Sequence, residues 1–146
     1  MSLLSALSIS ASGMSAQRAR TELLVENLAN SDTTRTPEGG PYRRKDVVFA
    51  SDPSAAQFSS LFENETANDG LSGVRVSQIV TDQREPEKRY MPGHPDADQD
   101  GYVAFPRVNP AEDMVDLLGA SRNYEANVSA ISAVKDMIQK SLDLFR

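Results

Sequence analysis

Cysteine is absent from this chain, and so is tryptophan. The first absence excludes disulfides, thiol nucleophiles and zinc–thiolate sites, and it suits an oxidising or extracytoplasmic setting. The second leaves five Phe and four Tyr as the large aromatic groups of a 146-residue chain. That is little material for a core. Histidine occurs once, as His94 between Gly93 and Pro95, with no nucleophile motif beside it. A metal site or a His-based triad would have to be built around that one ring. No GxSxG, phosphate-binding loop or dinucleotide glycine pattern is present, so no enzyme and no cofactor is expected. A net charge of −6 argues against a general affinity for nucleic acid or anionic membrane. No apolar run is long enough to span a bilayer, and no direct membrane insertion is expected. The first residues, MSLLSALSISASGMSA, carry no basic residue before Arg18 and are broken by serines. It reads as a poor secretory signal peptide, so any export is expected to use another route.

What the sequence does have is two long heptad-like ribbons at its ends. Near the C-terminus Leu117, Ser121, Tyr124, Val128, Ile131, Lys135, Ile138, Leu142 and Phe145 follow at steps of four and three. This is the a/d spacing of a coiled-coil seam. Asn109 is placed to cap the helix, Pro110 opens it, and Glu112, Asp113 and Asp116 lie at the positive end of its dipole. Lys135, Lys140 and Arg146 lie toward the other end. The spacing predicts one helix of about 35 residues, roughly 50 Å long. Near the N-terminus Leu4, Leu7, Ala11, Met14, Arg18, Thr21, Val25 and Leu28 repeat the pattern less apolarly. Gly13 and a run of serines lower the helix propensity, so this helix of about 28 residues needs a partner surface. Asn30 is a plausible stop.

Between the ribbons the pattern is weak. Ser31 to Pro41 is a polar loop with two prolines and a Gly pair, expected to stay mobile until something packs on it. Strands are expected over Tyr42–Ala50, Val74–Thr81, Lys88–Met91 and Tyr102–Phe105, around one hairpin. Phe58, Leu61 and Phe62 suggest a small satellite cluster. Arg43, Arg44 and Lys45 read first as a solvated basic patch, and second as a contact for an acidic neighbour in a self-assembly. Asp96, Asp98, Asp100 and Gly101 match the first half of a calcium loop. Position twelve of that loop is Arg107, where a bidentate Glu belongs. A tight acidic turn is the better reading, and no metal is assigned.

The fold class expected is mostly α with a small β-rich insert. Residues 1–30 form one axial helix, 31–108 the loop and insert, and 109–146 the second axial helix. The helices pair antiparallel as a coiled coil. A two-helix pair leaves Leu3, Leu23, Leu24, Leu118, Val134 and Met137 poorly covered, so packing in a helical assembly is expected to complete the fold. A secreted coiled-coil adaptor that does not polymerise is the alternative, with a calcium module behind it.

Four stretches carry a resemblance. SGMSAQRARTELLVENLANSDTT and VNPAEDMVDLLGASRNYEANVSAISAVKDMIQKSLD resemble the terminal helices of the flagellar rod and hook axial proteins. GGPYRRKDVVF and GHPDADQDGYV are similar to middle segments of a proximal-rod subunit. Together they cover a little over half of the chain. The usual Glu-Met near the start of the last helix is Asp113-Met114 here, and Ser51 to Gly70 matches nothing. The resemblance implies a non-enzymatic building block of the basal-body rod, the periplasmic drive shaft of a motile cell. It implies type III export without a cleaved signal, with terminal helices that order on docking. Its partners would be copies of itself and the rod proteins FlgB, FlgF and FlgG, near the FliE adaptor. Gly13, Asn27, Asn30, Arg122, Tyr124, Glu125 and Asn127 would fix register between subunits.

Overall fold

The computed structural model describes residues 3–52 and 72–144. Helix α1 spans Leu3–Ala29 and helix α2 spans Pro110–Asp143. Between them lie β1 (Lys45–Asp52), β2 (Gly73–Thr81), β3 (Glu87–Tyr90) and β4 (Tyr102–Phe105). α2 starts as its sequence predicts. Asn109 is extended at φ −104 and ψ 102, and its side chain accepts from the Ala111 amide at 3.2 Å. Pro110 follows in the first turn, where its missing N–H costs nothing. In α1 the serine hydroxyls turn inward on the helix. Ser8 donates to the Ser5 carbonyl at 2.9 Å and Ser12 to the Ile9 carbonyl at 2.7 Å. These bonds satisfy polar groups that would otherwise compete with the helix ladder. At its end Asn30 turns back, its amide and its Nδ2 both donating to the Glu26 carbonyl, at 3.1 and 2.9 Å.

The helices pack antiparallel. Gly13 on α1 faces Asn127 on α2, and further along α1 Arg20 reaches back to Asp116 at 3.7 Å. The packed face differs from the expected seam. On α2 the buried residues are Asp113, Ala120 and Val134, with Leu117, Asn127, Ile131 and Ile138 half-buried. Ala120, Asn127 and Val134 thus stand where the expected seam has Ser121, Val128 and Lys135, one residue earlier each time. Ser121 and Lys135 stay exposed, which leaves their polar groups in water. On α1 the change is larger. Ala16, Leu24 and Asn27 are buried, whereas Leu4, Ala11, Arg18 and Val25 are exposed and Leu7, Met14, Thr21 and Leu28 half-buried. At 3.6 residues per turn the ribbon read from the sequence lies on the far side of α1 from α2. Small residues explain the choice. Gly13, Ala16 and Ala120 let the two backbones approach, and a Cβ built on Gly13 would sit 3.1 Å from the Asn127 carboxamide.

The insert holds two antiparallel pairs of strands where one hairpin was expected. β1 runs against β2 from Lys45↔Thr81 to Asp52↔Gly73, with an irregularity between Val48 and Phe49. β3 runs against β4 from Glu87↔Phe105 to Tyr90↔Tyr102. β2 is anchored on α1, where the Val74 amide donates to Ser12 Oγ at 3.0 Å. The expected cluster of Phe58, Leu61 and Phe62 lies outside the described residues. The core of the second pair is small: Val103 is fully buried, and Phe105 nearly so.

The acidic turn joining β3 to β4 uses its carboxylates within the chain. Asp98 Oδ1 accepts from the amides of Asp100 at 3.0 Å and Tyr102 at 2.8 Å. Asp96 points elsewhere, accepting from Thr34 Oγ1 at 2.8 Å and facing Arg35 at 3.8 Å. The calcium-loop acids therefore do not converge on one point. Asp96 alone among them ties the polar loop after α1 to this turn. Gly101 closes the turn at φ 79, and a Cβ there would meet Tyr90 Cε2 at 3.0 Å. Gly101→Ala should therefore lower unfolding stability by about 1–2 kcal/mol, the cost of a left-handed alanine. Gly93→Ala, with open space around it, should change it little. Urea unfolding of both variants checks this.

Candidate assembly surface

The end of α1 and the start of α2 are tied together by the chain between Tyr42 and Lys45. Asn27 is fully buried. Its Nδ2 donates to the Lys45 carbonyl at 2.9 Å, and its Oδ1 accepts from the Tyr42 hydroxyl at 2.9 Å and the Lys45 amide at 3.0 Å. The Tyr42 amide donates to the Thr33 carbonyl at 3.0 Å, which folds the chain back along the helix end. Gly39 and Gly40, at φ 90 and 79, make that return possible. Burial, then the nearby Glu26 carboxylate, pushes the Tyr42 hydroxyl up to about 12.

The basic triplet is not a solvated patch. Arg44 has a side chain only 13 % exposed, and its Nη1 lies 2.9 Å from Asp113 Oδ1, whose side chain is fully buried. Its Nε also lies 3.3 Å from Asp46. Lys45 pairs with Glu26 at 2.6 Å, and Arg43 Nη1 donates to the Asp82 carbonyl at 3.2 Å. The acidic contacts weighed for a neighbouring subunit are supplied from within the chain. Neither Asp113 oxygen accepts a directed hydrogen bond from the described residues. The Arg44 contact is thus a close charge pair with poor hydrogen-bond angles. Burial pushes the Asp113 carboxyl upward, and the Arg44 charge pulls it down.

Outside this junction the helices present apolar groups to solvent. On α1 Leu4 is 74 % and Val25 49 % exposed. Leu7, Met14 and Leu28 are half-buried beside them. On α2 Met114, Val115, Leu118, Tyr124, Val128, Met137 and Leu142 are all exposed. Phe145 lies outside the described residues. No helix among the described residues is long and apolar enough to cross a membrane. Exposed apolar groups in this number along two long helices mark contact surfaces.

Comparison with known proteins gives these faces a context. Residues 99–144, from the turn before β4 through α2, match the family described as flagellar basal body rod FlgEFG protein C-terminal. Over the full length the chain is similar to flagellar basal-body rod proteins FlgC. It is 38 % identical to that of Borreliella burgdorferi, over 100 % of this chain and 99 % of the relative. It is 41 % identical to that of Bacillus subtilis, over 99 % of both chains. It is 37 % identical to that of Salmonella typhimurium, over 99 % of this chain and 98 % of the relative.

The chain belongs to the FlgC family of flagellar basal-body rod proteins.

In this FlgC-family chain the motif residues divide into two groups. Asn27 is saturated inside the junction, so its carboxamide is not free to touch another subunit. Asn30 closes α1 and accepts from Thr33 Oγ1 at 3.2 Å. Gly13 and Asn127 face each other across the helix pair, and Asn127 Nδ2 donates to the Asn123 carbonyl at 3.0 Å. Arg122, Tyr124 and Glu125 are the exposed members. Arg44 and Asp113 are the junction residues that sequence reading missed. The two lie 69 positions apart in the chain, and no local pattern points to their pairing.

Asn27→Leu leaves the Tyr42 hydroxyl and the Lys45 amide buried without their acceptor. It should lower unfolding stability by about 1–3 kcal/mol for each group orphaned. Denaturant unfolding followed by circular dichroism tests this. Alkaline pH should act on the same cluster. An unfolded tyrosine ionises near its ordinary 10.0, and Tyr42 only near 12. The folded state therefore holds more protons between those values, and stability falls as pH rises through them. Tyr42→Phe should flatten that part of the slope.

Proposed function

We propose that this chain is a structural subunit of the flagellar basal-body rod, serving flagellum-dependent motility. The full-length identity to FlgC proteins carries this reading, and the apolar outer faces of α1 and α2 support it. The subunit reaches the periplasmic rod through the flagellar type III export apparatus, without a cleaved signal. There it packs on copies of itself and on FlgB, FlgF and FlgG, near FliE. The assembly seam comprises Leu4, Leu7, Met14, Val25 and Leu28 on α1, with Tyr124, Val128 and Leu142 on α2. Leu117, Ile131 and Ile138 are shared with the face that α1 already covers, and Phe145 extends the seam. Arg122, Tyr124 and Glu125 remain the candidates for register between subunits.

Docking removes these faces from water, which stabilises by roughly 25 cal/mol per Å² of apolar area. That gain offsets the freedom lost on association. Each fully buried Leu or Val contributes about 1.5–3 kcal/mol. Leu4→Asp with Val25→Asp should keep the helical circular dichroism of the purified chain. The same pair of changes should abolish its recovery in isolated basal bodies, and swimming with it. Normal incorporation of that variant would refute the seam. Removal of the last ten residues should likewise stop incorporation, whereas an adaptor would lose a single partner.

A further inference from the structure

Two contacts fix where α2 stops along α1, and they sit two heptads apart on both helices. One is Gly13 against Asn127, where a Cβ would come within 3.1–3.3 Å of the carboxamide. The other is the junction, where Asn27 holds Lys45 and Tyr42, and Arg44 between them holds Asp113 at 2.9 Å. Between these points the packed face offers, among the described residues, no buried polar bond, and its one large buried side chain on α1, Leu24, is apolar. Ala16 and Ala120 are small, and Arg20 meets Asp116 only at 3.7 Å with both side chains more than a third exposed. A face of apolar and small residues can slide by one turn and still bury similar area. A buried polar pair cannot, because a shift leaves its charges alone in a dry site. This is the role a single buried polar residue plays in a coiled coil.

We propose that Arg44 and Asp113 are positioning residues that set the axial register of α2 against α1. The pair thereby decides which side chains the outer faces present for assembly. It acts at one remove: Arg44 is fixed to α1 only because Asn27 binds the residues on either side of it. A one-turn slip moves α2 by about 5 Å along α1. It would bring different side chains opposite Leu4, Val25 and their neighbours at the combined surface.

The absence of cysteine makes a direct test clean. Ala29→Cys and Ala130→Cys place spin labels on exposed positions of the two helices. Given that Gly13 stands opposite Asn127, the two sites are offset by about 28 Å along the pair. The interlabel distance is measured by pulsed electron paramagnetic resonance on the full chain. With Arg44 and Asp113 intact, one narrow distance is expected. Asp113→Asn and, separately, Arg44→Gln should each add a population displaced by about 5 Å, with helical circular dichroism retained. Asp46→Asn removes the other carboxylate at Arg44, one carried on β1, and should leave the distance unchanged. An unchanged single distance in both pair variants would overturn the proposal. So would a broad distance with the pair intact. Loss of helical signal in both variants would also overturn it, by marking the pair as a general stabiliser.

Discussion

A buried carboxamide needs partners for its oxygen and its nitrogen, and only a chain that returns to it from elsewhere can supply them. Asn27 imposes this demand at the end of α1, and the segment from Tyr42 to Lys45 meets it. Much of the remaining architecture follows. The return requires the positive-φ glycines at 39 and 40. It sends β1 off from Lys45 toward α1, where β2 is pinned by Ser12. It places Arg44 against the first turn of α2. The chain has few large apolar side chains, so this polar knot does work that a larger protein gives to a hydrophobic core.

The helix pair is built on the same economy. Its inner face uses Gly13, Ala16 and Ala120, which permit close approach but bury little area apiece. The larger residues go outward. Leu4, Val25, Leu118 and Leu142 are each about half to three-quarters exposed. A self-contained two-helix domain would arrange these the other way. The distribution is what a subunit needs if its strongest apolar contacts are reserved for neighbours. The family to which the chain belongs is one of rod subunits.

How much of this was legible in the sequence depends on the physics behind each signal. Helix limits were readable because their causes are local: Asn109 and Pro110 set one start, and Asn30 closes the other helix. The strand at Tyr102–Phe105 was readable for the same reason. The face on which α1 meets α2 was not. Heptad periodicity finds the most apolar ribbon, and in α1 that ribbon turned out to be the outer one. Backbone approach through Gly13 and Ala16 rewards smallness, which a hydrophobicity pattern scores as weakness. The junction was hidden differently. Arg44 and Asp113 are far apart in sequence, and a basic triplet in a loop gives no sign that one member will be buried. The acidic turn closed by Gly101 was legible as a turn, and its acids bind donors of their own chain.

Charge completes the physical picture. The chain carries −6 overall, so identical subunits repel one another at long range. Many of its described charges are already occupied by near neighbours in sequence, as in Arg18–Glu22, Arg84–Asp82 and Arg89–Glu87. Such exposed pairs contribute little stability. Among the described residues the most buried cation, Arg44, is committed to Asp113 and Asp46. In the proposed rod, attraction between like subunits therefore falls to the apolar faces, and net charge works against it. Salt screens the repulsion and leaves apolar burial intact, so association through these faces should strengthen rather than weaken as ionic strength rises.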